Sequence, residues 1–272
     1  MKKKKTTIPG IIKWVIAIIL VVMQVYPFLY VFTSSFKSLD DFRQLPAYAL
    51  PSKWVLTNFI NVFTKSHMLT YFKNSIIVLI GVLIPLLLFA LMAGFALSKI
   101  KFKGRKFVLN YFLLGLMLPM QVALIPLFTI FNKMGLINTY LGMMIVFFVS
   151  AMNIFQFRQS FKTFATTLKE AAHIDGCSNF TFFLRILLPT NISTVLTVFI
   201  TAFIGTWNTY LWPLLVTNKT EMRTVQVGIT MLNFSEGTVY GPIMAASIMV
   251  LLPSLILFLT FQKRIVSGMM AG

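Results

Sequence analysis

Six runs of apolar residues, each long enough to cross a lipid bilayer, constrain what this chain can fold into. A helix needs roughly 20 apolar residues to span the hydrocarbon layer. Such runs occur at about residues 11–32, 76–97, 107–131, 140–157, 195–216 and 244–261. Lipid offers no water to an unpaired backbone group, so spans of this length must be helical. The expected fold is therefore all-α, a polytopic integral membrane protein with six transmembrane helices. The third and fifth runs are the least cleanly bounded, because Pro119, Pro126 and a cluster of polar and aromatic residues interrupt them.

Charge sets the expected orientation, since short cytoplasmic loops collect Lys and Arg. One side receives the N-terminal lysines at 2–5 and Lys13, the group Lys99, Lys101, Lys103, Arg105 and Lys106, then Arg158, Lys162, Lys169 and Arg185, and finally Lys263 and Arg264. That side holds 16 basic and 2 acidic residues, against 8 and 4 on the other. Both termini are expected in the cytoplasm, which requires an even number of spans. Residues 1–10 then form a cytoplasmic basic segment, and 11–272 a single transmembrane domain. The first apolar run exceeds a typical signal-peptide core and lacks a small-residue cleavage site directly after it, so it reads as a retained span. The net charge of +18 does not point to nucleic acid: topology and attraction to anionic lipid account for it. The lone Cys177 excludes an internal disulfide framework and a multi-cysteine metal site.

The two acidic residues on the basic side, Glu170 and Asp175, lie five residues apart in KEAAHIDGCSNFTFFLRILLP at 169–189. Just upstream, Phe161, Phe164, Leu168, Ala171 and Ala172 recur at helical spacing and predict one apolar face. Thr166, Lys169, Glu170 and His173 fall on the opposite face. Asp175 does not fit this division, so the helix is expected to end at Asp175–Gly176, where glycine permits a backbone other residues resist. A second helix is expected from Ser178, a capping residue, through Phe180, Phe183, Leu184 and Leu187 to Pro189. The pattern alone also suits a helix pair lying on lipid headgroups. On the outer side, TNFINVF at 57–63 predicts a short amphipathic helix, and the polar stretch 217–241 reads as loop.

EAAHIDG at 170–176 with ILLP at 186–189 resembles the EAA signature of permease subunits of ATP-binding-cassette importers, with Cys177 where Ala or Ser is usual. Further pieces are similar to the carbohydrate-importer branch of the maltose-permease-G type: YFKNS at 71–75, LPMQVALIPLF at 118–128, WNTYLWPL at 207–214, VYGPIMAA at 239–246 and FQKRIVSGMMAG at the C-terminus. The tail departs from the usual Gly-Ala-Val ending before Lys-Gly. This resemblance implies a membrane half-channel paired with a second, homologous permease subunit. It also implies two cytoplasmic ATPase subunits beneath and a substrate-binding protein outside. The loop at about 158–190 would then be the coupling helix pair. In it Glu170 supplies a charge-assisted bond, Ala171 and Ala172 allow close approach, Asp175 and Gly176 form the turn, and Pro189 leads into the next span. The chain has no GxxxxGK[ST] phosphate loop, so no catalytic residue and no cofactor of its own is expected. ATP and magnesium belong to the partner subunits.

Polar residues inside spans are costly and usually face protein or water. Asn74, Ser75, Gln121, Asn153, Gln156, Trp207, Asn208, Thr209 and Tyr210 are of this kind. Asn153, Trp207, Asn208 and Gln121 are the candidates for lining a sugar path, because amides and aromatic faces suit hydroxyls and pyranose rings. The same residues also serve as ordinary packing contacts in membrane bundles, and Trp207, Tyr210 and Trp212 suit an interfacial belt. No Asp, Glu or His falls within the spans, which argues against an ion-coupled carrier. A mono- or oligosaccharide is the expected cargo, with a polyol or glycerol phosphate as the alternative.

Overall fold

The computed structural model describes residues 10–46, 48–232 and 240–270, and among them every regular element is a helix. The lysines at 2–5, residues 233–239 of the stretch expected as loop, and the final Ala271 and Gly272 lie outside the described residues. By contact the chain divides into two units, Met1–Met68 with Ile229–Leu252, and Leu69–Gly228 with Pro253–Gly272.

In the first unit, α1 (Gly10–Ser34) is apolar apart from Lys13, Gln24 and its last two residues. Helix α2 (Leu39–Gln44) starts at a capping box: Ser38 accepts from the Asp41 amide, and the Asp41 carboxylate accepts from the Ser38 amide. Helix α3 (Thr57–Lys65) is the amphipathic helix expected over 57–63, with Asn58 and Val62 turned inward. Asn58 Nδ2 donates to the carbonyls of Ser35 (2.9 Å) and Lys37 (2.8 Å), which fastens the end of α1 to α3.

In the second unit, α4 (Met68–Lys99) begins eight residues before the expected span, so YFKNS is helical rather than a lead-in. The polar groups of Asn74 and Ser75 are bonded by a distant segment, which removes the cost of carrying them in a helix. Helices α5 (Arg105–Met117) and α6 (Met120–Lys133) replace the expected third span with a pair bent by 100°. Pro119 sits at the bend as the cap of α6, where its missing N–H costs nothing. A short α7 (Tyr140–Met144) and one 3₁₀ turn lead to α8 (Ala151–Thr163), bent by 41° at Ser150. Helix α9 (Thr166–Ile174) is followed by α10 (Asn179–Phe182), a π-turn at Phe183–Leu187, and α11 (Leu188–Thr190).

Helix α12 (Ile192–Trp207) then departs at 79° from the preceding run. It stops at Asn208, so the expected fifth span at 195–216 is not one helix; α13 (Leu211–Val216) is separate. The stretch read as loop holds a further helix, α14 (Val225–Met231), whose Val225 and Val227 are buried. The last helix is α15 (Tyr240–Met270). Among the described residues, three helices are long and apolar enough to cross a membrane by themselves, and the number rises to six when each bent pair serves as one span.

The core of the second unit lies where α4, α8 and the α9–α11 region meet. Phe95, Phe157, Phe161, Phe182, Phe183 and Leu187 are buried together with Ala90 and Ala172. Rings of Phe95 and Phe183 lie 4.9 Å apart, and Phe157 stacks on Phe161 at 5.7 Å. Helices α4 and α8 approach closely at Gly94, where an added Cβ would stand 2.6 Å from Phe157 Cβ. The bent segment from α9 through α11 (residues 166–190), an elbow, is thus built on an aromatic platform.

Candidate functional site

The elbow folds as its sequence dictates, one bond at a time. Helix α8 ends where Phe164 turns extended. Helix α9 ends in a Schellman motif: the Cys177 amide donates to Ala172 O (2.8 Å) and the Gly176 amide to His173 O (3.0 Å). That geometry requires a left-handed residue, and Gly176 has φ +80°. His173 Nδ1 and Cys177 O, 2.7 Å apart, close the turn from the side-chain direction. Ser178 caps the next helix by accepting from the Thr181 amide at 3.1 Å. Asp175 is the C-cap of α9 and is exposed.

Pro189 does not end the second limb. The π-turn carries the Leu188 amide back to Phe183 O, and the helix runs on through Pro189 to Thr190. The break falls at Asn191. Around it, side chains replace the missing backbone donors: Asn191 Nδ2 donates to Leu187 O (2.7 Å), and Thr190 Oγ1 to the carbonyls of Ile186 and Leu187 (both 2.9 Å). Ser160 Oγ, at 2.7 Å from Asn191 Oδ1 and 2.8 Å from Thr194 Oγ1, ties α8 to this break.

The faces of α9 differ from the periodicity expectation. Ala172 is 8% exposed and packs inward as expected. Lys169, expected on the outer face from the helical spacing, is half-buried and its Nζ donates to Lys99 O at 2.6 Å. Lys99 Nζ in turn donates to Phe164 O at 2.6 Å. Burial, and then the nearby Lys101, hold the Lys169 pKa below its ordinary value. Leu168, expected inside, is 54% exposed, and Ile174 is 86% exposed. Glu170, Ala171, Asp175 and Gly176 share that exposed side of the turn, while Pro189 is exposed on the other limb. The elbow therefore presents Leu168, Ala171 and Ile174 beside one carboxylate, Glu170, all exposed among the described residues. Phe180, expected along the second helix, is exposed as well, and Ile174 was not singled out by the sequence. Their role depends on which way a short helix is turned, and no local signal fixes that.

The polar residues of the spans divide by use. Asn74 is 1% exposed and fully engaged: its Nδ2 donates to Glu221 O (2.7 Å) and Arg223 O (2.9 Å), and its Oδ1 accepts from Tyr140 Oη (2.7 Å). Ser75 Oγ accepts from the Val225 amide at 2.8 Å. These two are anchors for the α14 segment rather than path residues. Trp207 and Trp212 are both buried, so neither forms an interfacial belt. Trp212 Nε1 donates to Gly142 O at 3.0 Å, and Trp207 stacks on Phe203 at 6.3 Å. Asn208 is exposed beside Trp207, and its Oδ1 accepts from Gln226 Nε2 at 3.1 Å. Gln226 joins the candidate path from a segment read as loop. Trp207 also lines a cavity of about 10 Å³ with Ser75, Thr206, Thr209 and Thr224. Asn153 is half-buried in the first turn of α8, and Gln121 is exposed in the first turn of α6. Hydrogen bonds bring Asn208 and Gln226 together, and they include neither Asn153 side chain nor Gln121.

Residues 86–270 match the family described as binding-protein-dependent transport system inner membrane component. The chain is 32% identical over 276 residues to the arabinooligosaccharides transport system permease protein AraQ of Halalkalibacterium halodurans, covering 99% of this chain and 98% of that protein. It is 28% identical over 271 residues to the sn-glycerol-3-phosphate transport system permease protein UgpE of Brucella melitensis, covering 96% of each. Its fold is similar to a chain of a bacterial ABC transporter involved in the import of the acidic polysaccharide alginate. That likeness has a TM-score of 0.87 at 23% identity, covering 97% of this chain and 98% of the other.

Proposed function

Because this chain belongs to the family of binding-protein-dependent transport system inner membrane components, we propose that it is the sugar-conducting permease subunit of an ATP-driven importer, and that its α9 elbow couples the ATPase to the path. The chain is a multi-pass membrane component and not itself an enzyme. In this reading a second, homologous permease completes the channel, two ATPase subunits lie beneath it, and a binding protein delivers cargo from outside. Both termini face the cytoplasm. The observation that carries the coupling role is the exposed apolar surface of Leu168, Ala171 and Ile174 beside Glu170, on a turn locked by the Gly176 motif. An apolar patch with one charge, fixed to a rigid platform, suits a cleft in a protein partner. Closure of the ATPase pair would then move the elbow as a body and tilt the attached helices. Glu170 adds a charge-assisted bond to that interface.

Glu170→Lys reverses the charge, and Gly176→Pro both forbids the positive φ and removes the amide bonded to His173 O. Both variants are expected to insert normally, and cargo-stimulated ATP hydrolysis by the assembled complex is expected to be lost. Normal coupling in both variants would falsify the docking role. For the cargo, an oligosaccharide is favoured by the paired amides of Asn208 and Gln226, and by the relative named for arabinooligosaccharides. A glycerol phosphate is the second reading, favoured by the relative named for sn-glycerol-3-phosphate. Thermal-shift screening of the partner binding protein with both classes decides between them.

A further inference from the structure

The turn at residues 99–106 concentrates positive charge that the fold uses only in part. Five residues, 100–104, join α4 to α5, and five cations sit in or beside them: Lys99, Lys101, Lys103, Arg105 and Lys106. Arg105 is spent on structure, its guanidinium donating to the carbonyls of Leu97 (2.8 Å), Ser98 (3.0 Å) and Ile100 (3.3 Å), which caps the end of α4. Lys99 and Lys169 are likewise spent on backbone carbonyls. Lys101, Lys103 and Lys106 remain exposed. A cavity of about 370 Å³ opens there, lined by Lys101, Phe102, Gly104, Arg105 and Lys106. The chain has no acidic residue between Asp41 and Glu170 to balance the group. Burial and Lys101 already lower the Lys169 pKa, so the cluster repels itself.

The geometry points to this cavity as a binding site for the phosphate of an anionic lipid headgroup, held by Lys101 and Lys106 with Arg105 behind them. Phosphate supplies the charge the cluster lacks, and lysine ammoniums bind it as point charges. A lipid is the source because of where the turn sits. Two apolar helices enter and leave it, and five residues extend no further than about 17 Å even when fully stretched. The ammoniums therefore stay near headgroup depth. Phe102 in the turn, with Phe107 and Tyr111 on α5, exposes aromatic surface suited to the same layer. Because Lys101 also stands against Lys169 of α9, an anion bound here relieves the repulsion that bears on the elbow.

The test uses the purified full chain in neutral detergent, with the thermal unfolding midpoint followed during titration. The titrants are short-chain phosphatidylglycerol, short-chain phosphatidylcholine and inorganic phosphate. Phosphatidylglycerol is expected to raise the midpoint and phosphatidylcholine to leave it unchanged. In the Lys101→Gln/Lys106→Gln double variant the apparent affinity for phosphatidylglycerol is expected to fall roughly tenfold. Should the double variant fail to fold, Lys101→Gln alone is expected to show roughly a threefold loss. Equal responses to the two lipids, or an unchanged affinity in the variants, overturn the site. A matching shift from inorganic phosphate at the same concentration assigns it to a free anion and overturns the lipid source. Variants that keep the lipid response but bind the ATPase subunits less tightly assign the patch to a protein partner instead. The lipid and phosphate readouts use neither cargo nor ATPase subunits, so their outcome is independent of the importer reading.

Discussion

Gly176 and Gly94 are both required, for different physical reasons. At Gly176 a Cβ meets nothing within 4 Å, so alanine there costs only the left-handed backbone, about 1–2 kcal/mol. At Gly94 the backbone is ordinary but an added Cβ would stand 2.6 Å from Phe157 Cβ, an overpacking cost of about 1–3 kcal/mol. Denaturant unfolding of the two alanine variants measures both. Protease nicking at residues 164–178 is expected to rise for Gly176→Ala and not for Gly94→Ala, since only the first loosens the elbow. Gly176 was legible in the sequence because a helix stop is a local event, decided within a few residues. Lys169 was not, since periodicity assigns a charged residue to the outer face by default. Its inward turn is decided by Lys99 O, 70 positions away in sequence. Asn74 shows the same limit: its partners at Glu221 and Arg223 come from a segment that carries no local mark of docking.

Among elements, caps and breaks were more legible than bends. The Ser178 cap, the end of α9 and the amphipathic α3 all stand where the sequence put them. Pro119 marked a break in the third span, but the 100° angle depends on packing beyond it. Helix α14 escaped notice because seven residues with a few valines give too little periodicity. Ser75 supplies what its first turn lacks by accepting from the Val225 amide. The capping box of α2 yields a pH prediction. Hydrogen bonds from Ser52 and Ser38 outweigh the cost of burial and hold the Asp41 pKa below its ordinary 3.8. A depressed carboxylate stabilises the fold above its ordinary pKa and loses that contribution as pH falls through the folded value. The protection of α2 amides in the wild type over Asp41→Asn, read by hydrogen exchange, is therefore expected to be full near neutral pH. It should vanish below the ordinary carboxylate range.

For the whole molecule, orientation has a built-in reporter. Cys177 is the single cysteine, half-buried at the turn of the elbow. With the elbow in the cytoplasm, a membrane-impermeant thiol reagent is expected to label inside-out vesicles and to spare intact cells until they are permeabilised. Labelling of intact cells would invert the proposed topology. Six apolar runs were legible from composition alone, because the bilayer imposes a length. Pro119 marked the break in the third run, whereas the bend after Phe147 in the fourth carried no such mark, since each half becomes tolerable only when other helices cover the break.

Lys99 grips the strand of chain entering α9 at Phe164, while Lys169 grips the foot of α4 at Lys99 O. The two bonds cross in opposite senses, as diagonal struts brace a frame. Shear in either direction stretches one of them, so the corner resists skewing and turns as a solid piece. In the proposed coupling role, a torque applied at Ile174 would reach the foot of a 32-residue helix as rotation rather than being lost to bending at the corner.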